Sequence, residues 1–345
     1  MPDSLLKELA ANEFNTMPEE GSPFDLLLPE SHASLPLQLM AKWQPGPTAR
    51  WLCKIIELTT VEELQRRTDI RRDLVFALAH IAHHRDGFED AEASLFRLAT
   101  AENETWANNA TGVWSGLFLV AINLTRRKFD ARLEILRKRV KGGSVENRVI
   151  ALAGLGSAIG RESTGPGYSP DDKIDGPWDL PTIGEVQRGK REAWSLLCDM
   201  TLDQDAVLAR KSKEIAIQNL RSTLRWGIGE DIFRILYEIV DKWQEKELAD
   251  LRAELDSIKH YETSVIKENV KLEEAYNRLR ATTEPANYHG KLLDIVGRWS
   301  PGGDVVEIEP TNGYGERLSQ YEEKLDKQIA EEGLAPPTPL INELE

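Results

Sequence analysis

Between Asn103 and Ile159 apolar positions fall at steps of three and four, and the run is broken at short intervals by polar turns. Ala110, Val113, Trp114, Leu117, Phe118 and Ala121 make one helical face. Leu133, Leu136 and Val140 make a second, which Gly142-Gly143 stops. Ser144 opens a third, with Val145, Val149, Leu152, Leu155 and Ile159 on its inner side. None of these amphipathic helices can bury its stripe alone. Stacked on one another they share a continuous core, so the pattern predicts an all-α chain built as an α-solenoid.

The same period extends in both directions. Leu5, Leu6 and Leu9 begin a short helix that fades near Asn15, and the Pro-, Ser- and Gly-rich stretch behind it reads as irregular, giving an N-terminal cap over 1–47. Regular helices are expected from about Thr48, first with Trp51, Ile55, Ile56 and Leu58 inward. Thr60 then precedes Glu63 at capping-box spacing. A helix over 70–84 turns Leu74, Val75, Leu78, Ile81 and Ala82 inward; Asp86-Gly87 breaks it, and Phe88, Ala91, Leu95, Phe96 and Leu98 mark the next over 88–100.

Residues 160–184 hold four prolines and five glycines, too many turn formers for a regular element, and read as one long loop. Helices resume near Ile183 with Val186, Ala193, Trp194, Leu197 and Cys198, and again after Asp203 and Asp205 to about Arg225. Ile232, Ile235, Leu236, Ile239, Val240 and Trp243 form the cleanest stripe of the second half. Two helices that break near His260 suit residues 244–282 better than a sustained heptad. A further helix is expected over 288–299, and Val305, Val306 and Ile308 look extended. An acidic C-terminal segment over 301–345 carries one more helix near 315–331. The array proper is thus expected over 48–300.

Ser144-Val145-Glu146-Asn147-Arg148 and Asp203-Gln204-Asp205-Ala206-Val207 open helices in the same way, each after an apolar helix and a turn. That grammar suits degenerate HEAT-like helical hairpins of irregular period. Residues 88–118, above all Ala101-Glu102-Asn103 and Asn108-Asn109-Ala110-Thr111-Gly112-Val113, resemble a motif of the HEAT-like arrays in large bacterial proteins. Trp178 with Thr182-Ile183-Gly184-Glu185, and Gly297-Arg298-Trp299-Ser300-Pro301, are similar to the same family, over roughly residues 70–300. In that family the array belongs to signal-transducing NTPases of the STAND/NACHT type found in bacterial conflict systems. The resemblance implies a detached scaffold or sensor array, working with a protein partner or an associated NTPase or effector domain. The NTPase domain itself has no counterpart in this sequence.

Charge narrows the partners. Lys and Arg number 43 against 58 Asp and Glu, a formal net charge of -15, which disfavours nonspecific attraction to nucleic acid and to anionic membrane. Apolar residues make up 41%, enough to argue against wholesale disorder. No apolar run reaches the length of a membrane span, and Met1-Pro2-Asp3-Ser4 leads into an amphipathic pattern instead of a signal peptide, so a cytoplasmic protein is expected. Cys53 and Cys198 fall within apolar helical patterns and read as buried free thiols.

Candidate chemistry is sparse. The chain has no Walker A sequence, no nucleophile elbow and no paired CxxC motif, and no enzyme activity, cofactor or metal is expected. His80 and His84 share a helix face and could hold zinc, but they lack an evident third ligand; the helix end is the simpler reading for them and His83. Asp171, Asp172 and Asp175-Gly176 have calcium-loop spacing, yet Lys173 stands where an oxygen ligand is needed. With Trp178 and Glu185 these aspartates mark a candidate functional loop, the place for a site if the chain were an enzyme.

Arg126, Arg127, Lys128, Arg132, Arg137, Lys138, Arg139 and Lys141 form the one strong basic cluster, a candidate docking surface for nucleic acid or an acidic protein segment. Several of these crowd a helix carboxyl end, where they would also serve the dipole. Trp106, Trp114, Trp194 and Trp243 lie mainly on buried stripes and read as core, not as base-stacking platforms.

Overall fold

The computed structural model describes residues 34–103, 109–120, 125, 127–160 and 181–285, and every regular element among them is helical. None of these helices is long and apolar enough to cross a membrane. The chain divides into two compact units, residues 1–222 and 223–345. In the first, α1 (Ser34–Trp43), α2 (Pro45–Leu58), α3 (Val61–Arg66), α4 (Thr68–Ile81) and α5 (Phe88–Thr100) precede α6 (Ala110–Gly116). Then come α7 (Phe129–Lys141), α8 (Val145–Ile159), α9 (Ile183–Met200) and α10 (Ala206–Asn219). A short α11 (Ser222–Arg225) falls at the division. The second unit holds α12 (Gly229–Tyr237), α13 (Glu245–Tyr261), α14 (Thr263–Lys267) and α15 (Val270–Thr282).

Small polar residues start many of these helices. Thr60, Asn109, Ser144, Thr182, Asp205 and Asn269 each turn a side-chain oxygen onto the amides of the first turn, at 2.9 to 3.3 Å. Such a cap is worth about 1 kcal/mol. The expected cap over 1–47 is corrected from Ser34 onward, where α1 and the start of α2 are regular helix. Pro45 and Pro47 misled because proline reads as a breaker. In the first turn its missing N–H has no intrahelical partner to lose. The remaining expectations for 1–33 and for 286–345, including the helices near 288–299 and 315–331 and the extended run at 305–308, lie outside the described residues.

Packing follows chain order through the first unit. α1 meets α2 and α4, α2 meets α5, and α4 meets α5. α5 meets α6, α6 meets α8, α7 meets α8 and α9, and α8 meets α9 and α10. The expected inward residues of α4 and α5 are buried, as are Trp114, Leu117, Phe118, Leu133, Leu136, Val140, Leu152, Leu155 and Ile159. Val113, Val145 and Val149 are only half-buried, and Leu58, at the end of α2, is 61% exposed. Gly87 takes φ 146° in the turn before α5, and a Cβ there would meet Ile81 and Ala49. Gly154 has another reason. A Cβ on it would lie 2.6 Å from Leu136 and 2.9 Å from Trp114, so α6 and α7 reach α8 only over a bare glycine.

In the second unit α12 packs on α15, and α13 on α15. Of the expected stripe Ile232, Leu236, Val240 and Trp243 are buried and Ile235 and Ile239 only half-buried, and α12 gives way to a 3-10 turn at Val240–Lys242. The break expected near His260 falls at Glu262, with a second at Glu268-Asn269. Tyr276, buried, donates its hydroxyl to the Leu255 carbonyl at 3.1 Å and sets its ring edge-on to Phe233. Arg280 clasps Asp256 with two bonds, at 2.7 and 3.2 Å.

One device recurs. The carbonyls left over at a helix carboxyl end are taken by a cation from another helix. Arg71 of α4 donates to Leu64 O in α3, and Arg97 of α5 to Thr59 O beyond α2, at 3.2 Å. Arg132 of α7 donates to Leu117 O and Leu119 O beyond α6, at 2.7 and 2.6 Å. Arg148 of α8 donates to Val140 O in α7 at 2.7 Å. Lys190 of α9 donates to Ala158 O and Gly160 O at the end of α8, both at 3.1 Å. In the second unit Arg252 of α13 reaches Thr283 O beyond α15 at 2.6 Å. Arg71, Arg132 and Arg148 are each the fourth residue of their helix.

This device ends α6 early. Apolar spacing carried that helix to Ala121, but it stops at Gly116, and the carbonyls of Leu117 and Leu119 face Arg132 instead of a further turn. The helix expected to run to Arg225 likewise breaks after Asn219, where the single Ser222 hydroxyl proton has Asn219 O at 2.7 Å and Ile159 O at 2.9 Å within reach.

Two outcomes follow from this packing. Arg132→Met should lower unfolding free energy by about 3 kcal/mol in urea titration, since it orphans buried carbonyls. Lys128→Met, on the exposed start of the same helix, should change it by less than about 0.5 kcal/mol. Equal losses would place Arg132 at the surface after all. Gly154→Ala should cost about 1–3 kcal/mol by forcing Leu136 and Trp114 aside. A stabilised variant, the usual result of Gly→Ala in an open helix, would mean that the close approach of α6 and α7 is wrong.

Candidate functional site

The basic cluster separates once its residues are placed. Arg132 is fully buried, its guanidinium spent on the carbonyls of Leu117, Leu119 and Arg127, so it is withdrawn from the docking surface. Arg127 pairs with Glu89, and Arg137 with both Glu134 and Glu192. Arg139 pairs with Glu92. Lys128, Lys138 and Lys141 remain exposed. Arg126 lies outside the described residues. Helix α7 therefore presents a surface in which most guanidinium charge is already met by carboxylates of α5, α7 and α9.

The candidate loop fares differently. Asp171, Asp172, Asp175 and Trp178 lie outside the described residues. Glu185 has a structural part: with Thr182 it closes a complete capping box at the start of α9, accepting from Thr182 N–H at 2.8 Å. Hydrogen bonds from the Thr182 backbone, then from its side chain, lower the Glu185 pKa.

A cleft of about 380 Å³ opens between α5, α7 and the start of α8. Glu92 and Phe96 of α5, Ile135, Lys138 and Arg139 of α7, and Asn147 of α8 line it, with Gly142 and Gly143 at the turn. Its wall is built from the inside outward. Trp114 of α6 is fully buried, meets Phe96 at 4.9 Å and Phe118 at 4.7 Å between ring centroids, and donates its indole N–H to Glu92 Oε1 at 2.8 Å. Glu92, itself buried, accepts from Arg139 Nε at 3.2 Å and from Nη2 at 2.9 Å. Arg139 also lies over the Phe96 ring, with Cζ 4.1 Å from its centroid. One buried carboxylate thus joins α5, α6 and α7 and aims a guanidinium into the opening.

Glu92 was not singled out by motif, yet its position carried a signal. It stands four residues from both Phe88 and Phe96, an acid on the apolar face of α5, and a buried carboxylate needs paired donors. Ile135 and Asn147 carried none, because only the turn at Gly142-Gly143 brings them to one opening. A second cleft, about 280 Å³ in the other unit, is lined by Arg234, Tyr237, Lys271 and Arg278, with Glu238 and Glu274 offsetting their charge.

The thiols and His83 are buried, while His80 and His84 are half-buried at the helix end. Cys53 and Cys198 are both buried and free; burial pushes the Cys53 thiol up to about 11 and the Cys198 thiol up to about 12, so neither is a nucleophile at neutral pH. Trp114, Trp194 and Trp243 are buried as expected, and Trp106 lies outside the described residues. Among the described residues no group of three or more His, Cys, Asp or Glu side chains could hold a metal ion. His80 and His84 rings lie 5.3 Å apart at the end of α4, and His83 beside them is 3% exposed. Burial first, then the charges of His80 and His84, hold His83 down at about 3.

The sign of the pH effect is set by that depression. Folded His83 stays neutral while the unfolded chain takes up a proton below about 6.5, so stability present above that pH is lost as pH falls toward about 3. Wild type should lose about 2 kcal/mol more than His83→Gln between pH 7 and pH 5 in denaturant titrations. Parallel pH profiles for the two proteins would show that His83 is protonated when folded. Compared with known protein families, with curated proteins and with solved structures, the chain matches none.

Proposed function

We propose that the chain is a non-enzymatic helical-repeat scaffold, an α-solenoid of degenerate HEAT-like hairpins that engages a protein partner. The observation that carries this reading is the run of caps from α7 to α6, α8 to α7 and α9 to α8, each helix closing the carboxyl end of the one before it. Nearest-neighbour fastening of this kind suits an array whose units are stable only against their neighbours. The partner in view is a protein that supplies the NTPase or effector domain, by the resemblance to STAND/NACHT-type arrays.

The nucleic-acid reading rested on the basic cluster, and the pairing of Arg127, Arg137 and Arg139 with carboxylates together with the burial of Arg132 removes much of its support. Phosphate binding grows with the number of cations that face the backbone unpaired, and of the placed cluster Lys128, Lys138 and Lys141 are left exposed without an ion pair among the described residues.

The test is affinity capture of the tagged chain from its native host, with and without nuclease, followed by crosslink mapping. A protein partner crosslinked to α5–α8 in both arms is the expected result. Loss of all recovered material on nuclease treatment would put nucleic acid in the partner's place, and a chain that captures no protein at physiological salt would end the scaffold reading.

A further inference from the structure

The cleft between α5, α7 and α8 is rich in donors, and the one carboxylate lining it is spent. Both Glu92 oxygens are occupied, Oε1 by Trp114 and Arg139 Nε, and Oε2 by Arg139 Nη2. Arg139 donates through Nε and Nη2, while Nη1 has no partner among the described residues and is not sealed from solvent. Lys138 is exposed beside it, with no ion pair among the described residues. The Asn147 amide completes the rim, its side chain likewise without a partner among the described residues. The start of α8 adds little. The Glu146 carboxylate is already held there by Ser144 and its own backbone, which lower its pKa.

Three residues with polar donors therefore line an opening whose other wall is apolar, made of Phe96 and Ile135. Arg139 is already organised for an anion. Glu92 fixes one edge of its plane, Phe96 covers one face, and the remaining edge is presented at no further conformational cost. A carboxylate matches a guanidinium edge flanked by an ammonium and an amide. The apolar wall asks for a hydrocarbon body on the same residue. An internal Asp or Glu offers the charge on only one or two methylenes, whereas a chain's last residue carries carboxylate and side chain together.

We propose that this cleft captures the terminal carboxylate of a peptide whose last residue is apolar, an inference that rests on the protein-partner reading above. Arg139 Nη1, Lys138 Nζ and the Asn147 amide take the carboxylate, and Phe96 and Ile135 take the side chain. Arg139 is a binding residue here, and Glu92 positions it.

The probes are N-acetyl-Ala-Leu with a free carboxylate, the same dipeptide as its amide, and N-acetyl-Glu amide. Each is titrated against the full chain by saturation-transfer NMR. The free acid should bind, and the other two should be weaker by about tenfold or more, the loss of one charge-assisted contact. Lys138→Gln should weaken the acid by about tenfold and Asn147→Ala by less, with melting temperatures unchanged. These two variants are preferred to Arg139→Gln, which also strands the buried Glu92.

Equal binding of acid and amide, equal binding of the internal glutamate, or an acid affinity indifferent to Lys138→Gln would overturn the proposal. Displacement of the dipeptide by an equal concentration of inorganic phosphate would overturn it too, since the apolar wall would then play no part. The two readings fail separately. Partner capture that survives Lys138→Gln with no dipeptide binding keeps the scaffold and removes the cleft. Dipeptide binding without any captured partner supports the cleft's chemistry and removes the scaffold.

Discussion

A helix leaves its last four carbonyls unpaired and a partial negative charge at that end, and burying them unpaired costs more than most single contacts return. In this chain the solution is a cation sent across from another helix. Arg71, Arg97, Arg132, Arg148, Lys190 and Arg252 each do this, and Arg132, Lys190 and Arg252 do it from full burial. A guanidinium or ammonium withdrawn from water is itself expensive, so the arrangement holds only while donor and carbonyls stay together. Each such cation therefore ties the end of one helix to the body of another, which a purely apolar contact does not do, because hydrocarbon has no preferred angle. The early ends of α6 and of α10 fit this view, since in both places side-chain donors replace a further helical turn.

The same chemistry decides what the surface has left to offer. A row of arginines on α7 is positive in the sequence, yet Glu89, Glu134, Glu192 and Glu92 meet its guanidinium groups from three helices. Exposed pairs of this kind contribute little to stability. Their larger effect is on the field, since a cation already facing a carboxylate attracts a distant phosphate weakly. The Glu92 pair differs because Glu92 is buried and shares its charge with Trp114 as well as Arg139. There the ion pair is a support that leaves one guanidinium edge and a neighbouring lysine at an apolar wall.

By itself the sequence determined the local part of this protein. Helices, their inward faces and many of their starts were legible, because 3.6-residue periodicity and a Ser, Thr, Asp or Asn at the N-cap act within one or two turns. Thr60, Ser144 and Asp205 each cap a helix start, and the stripes of α4, α5 and α8 turned inward at Leu78, Leu95 and Leu155. Proline-led helix starts at Pro45 were missed, since the same residue that breaks a helix interior is well placed in a first turn. Tertiary structure alone decided the fate of the charges. Arg132 and Lys128 stand four residues apart on one helix and look equivalent in sequence, but one is buried beneath the end of α6 and the other is in water. Which cation meets a helix end, and which is left for a ligand, depends on carbonyls of another helix, seven to 38 residues away, and no local pattern records where those will lie.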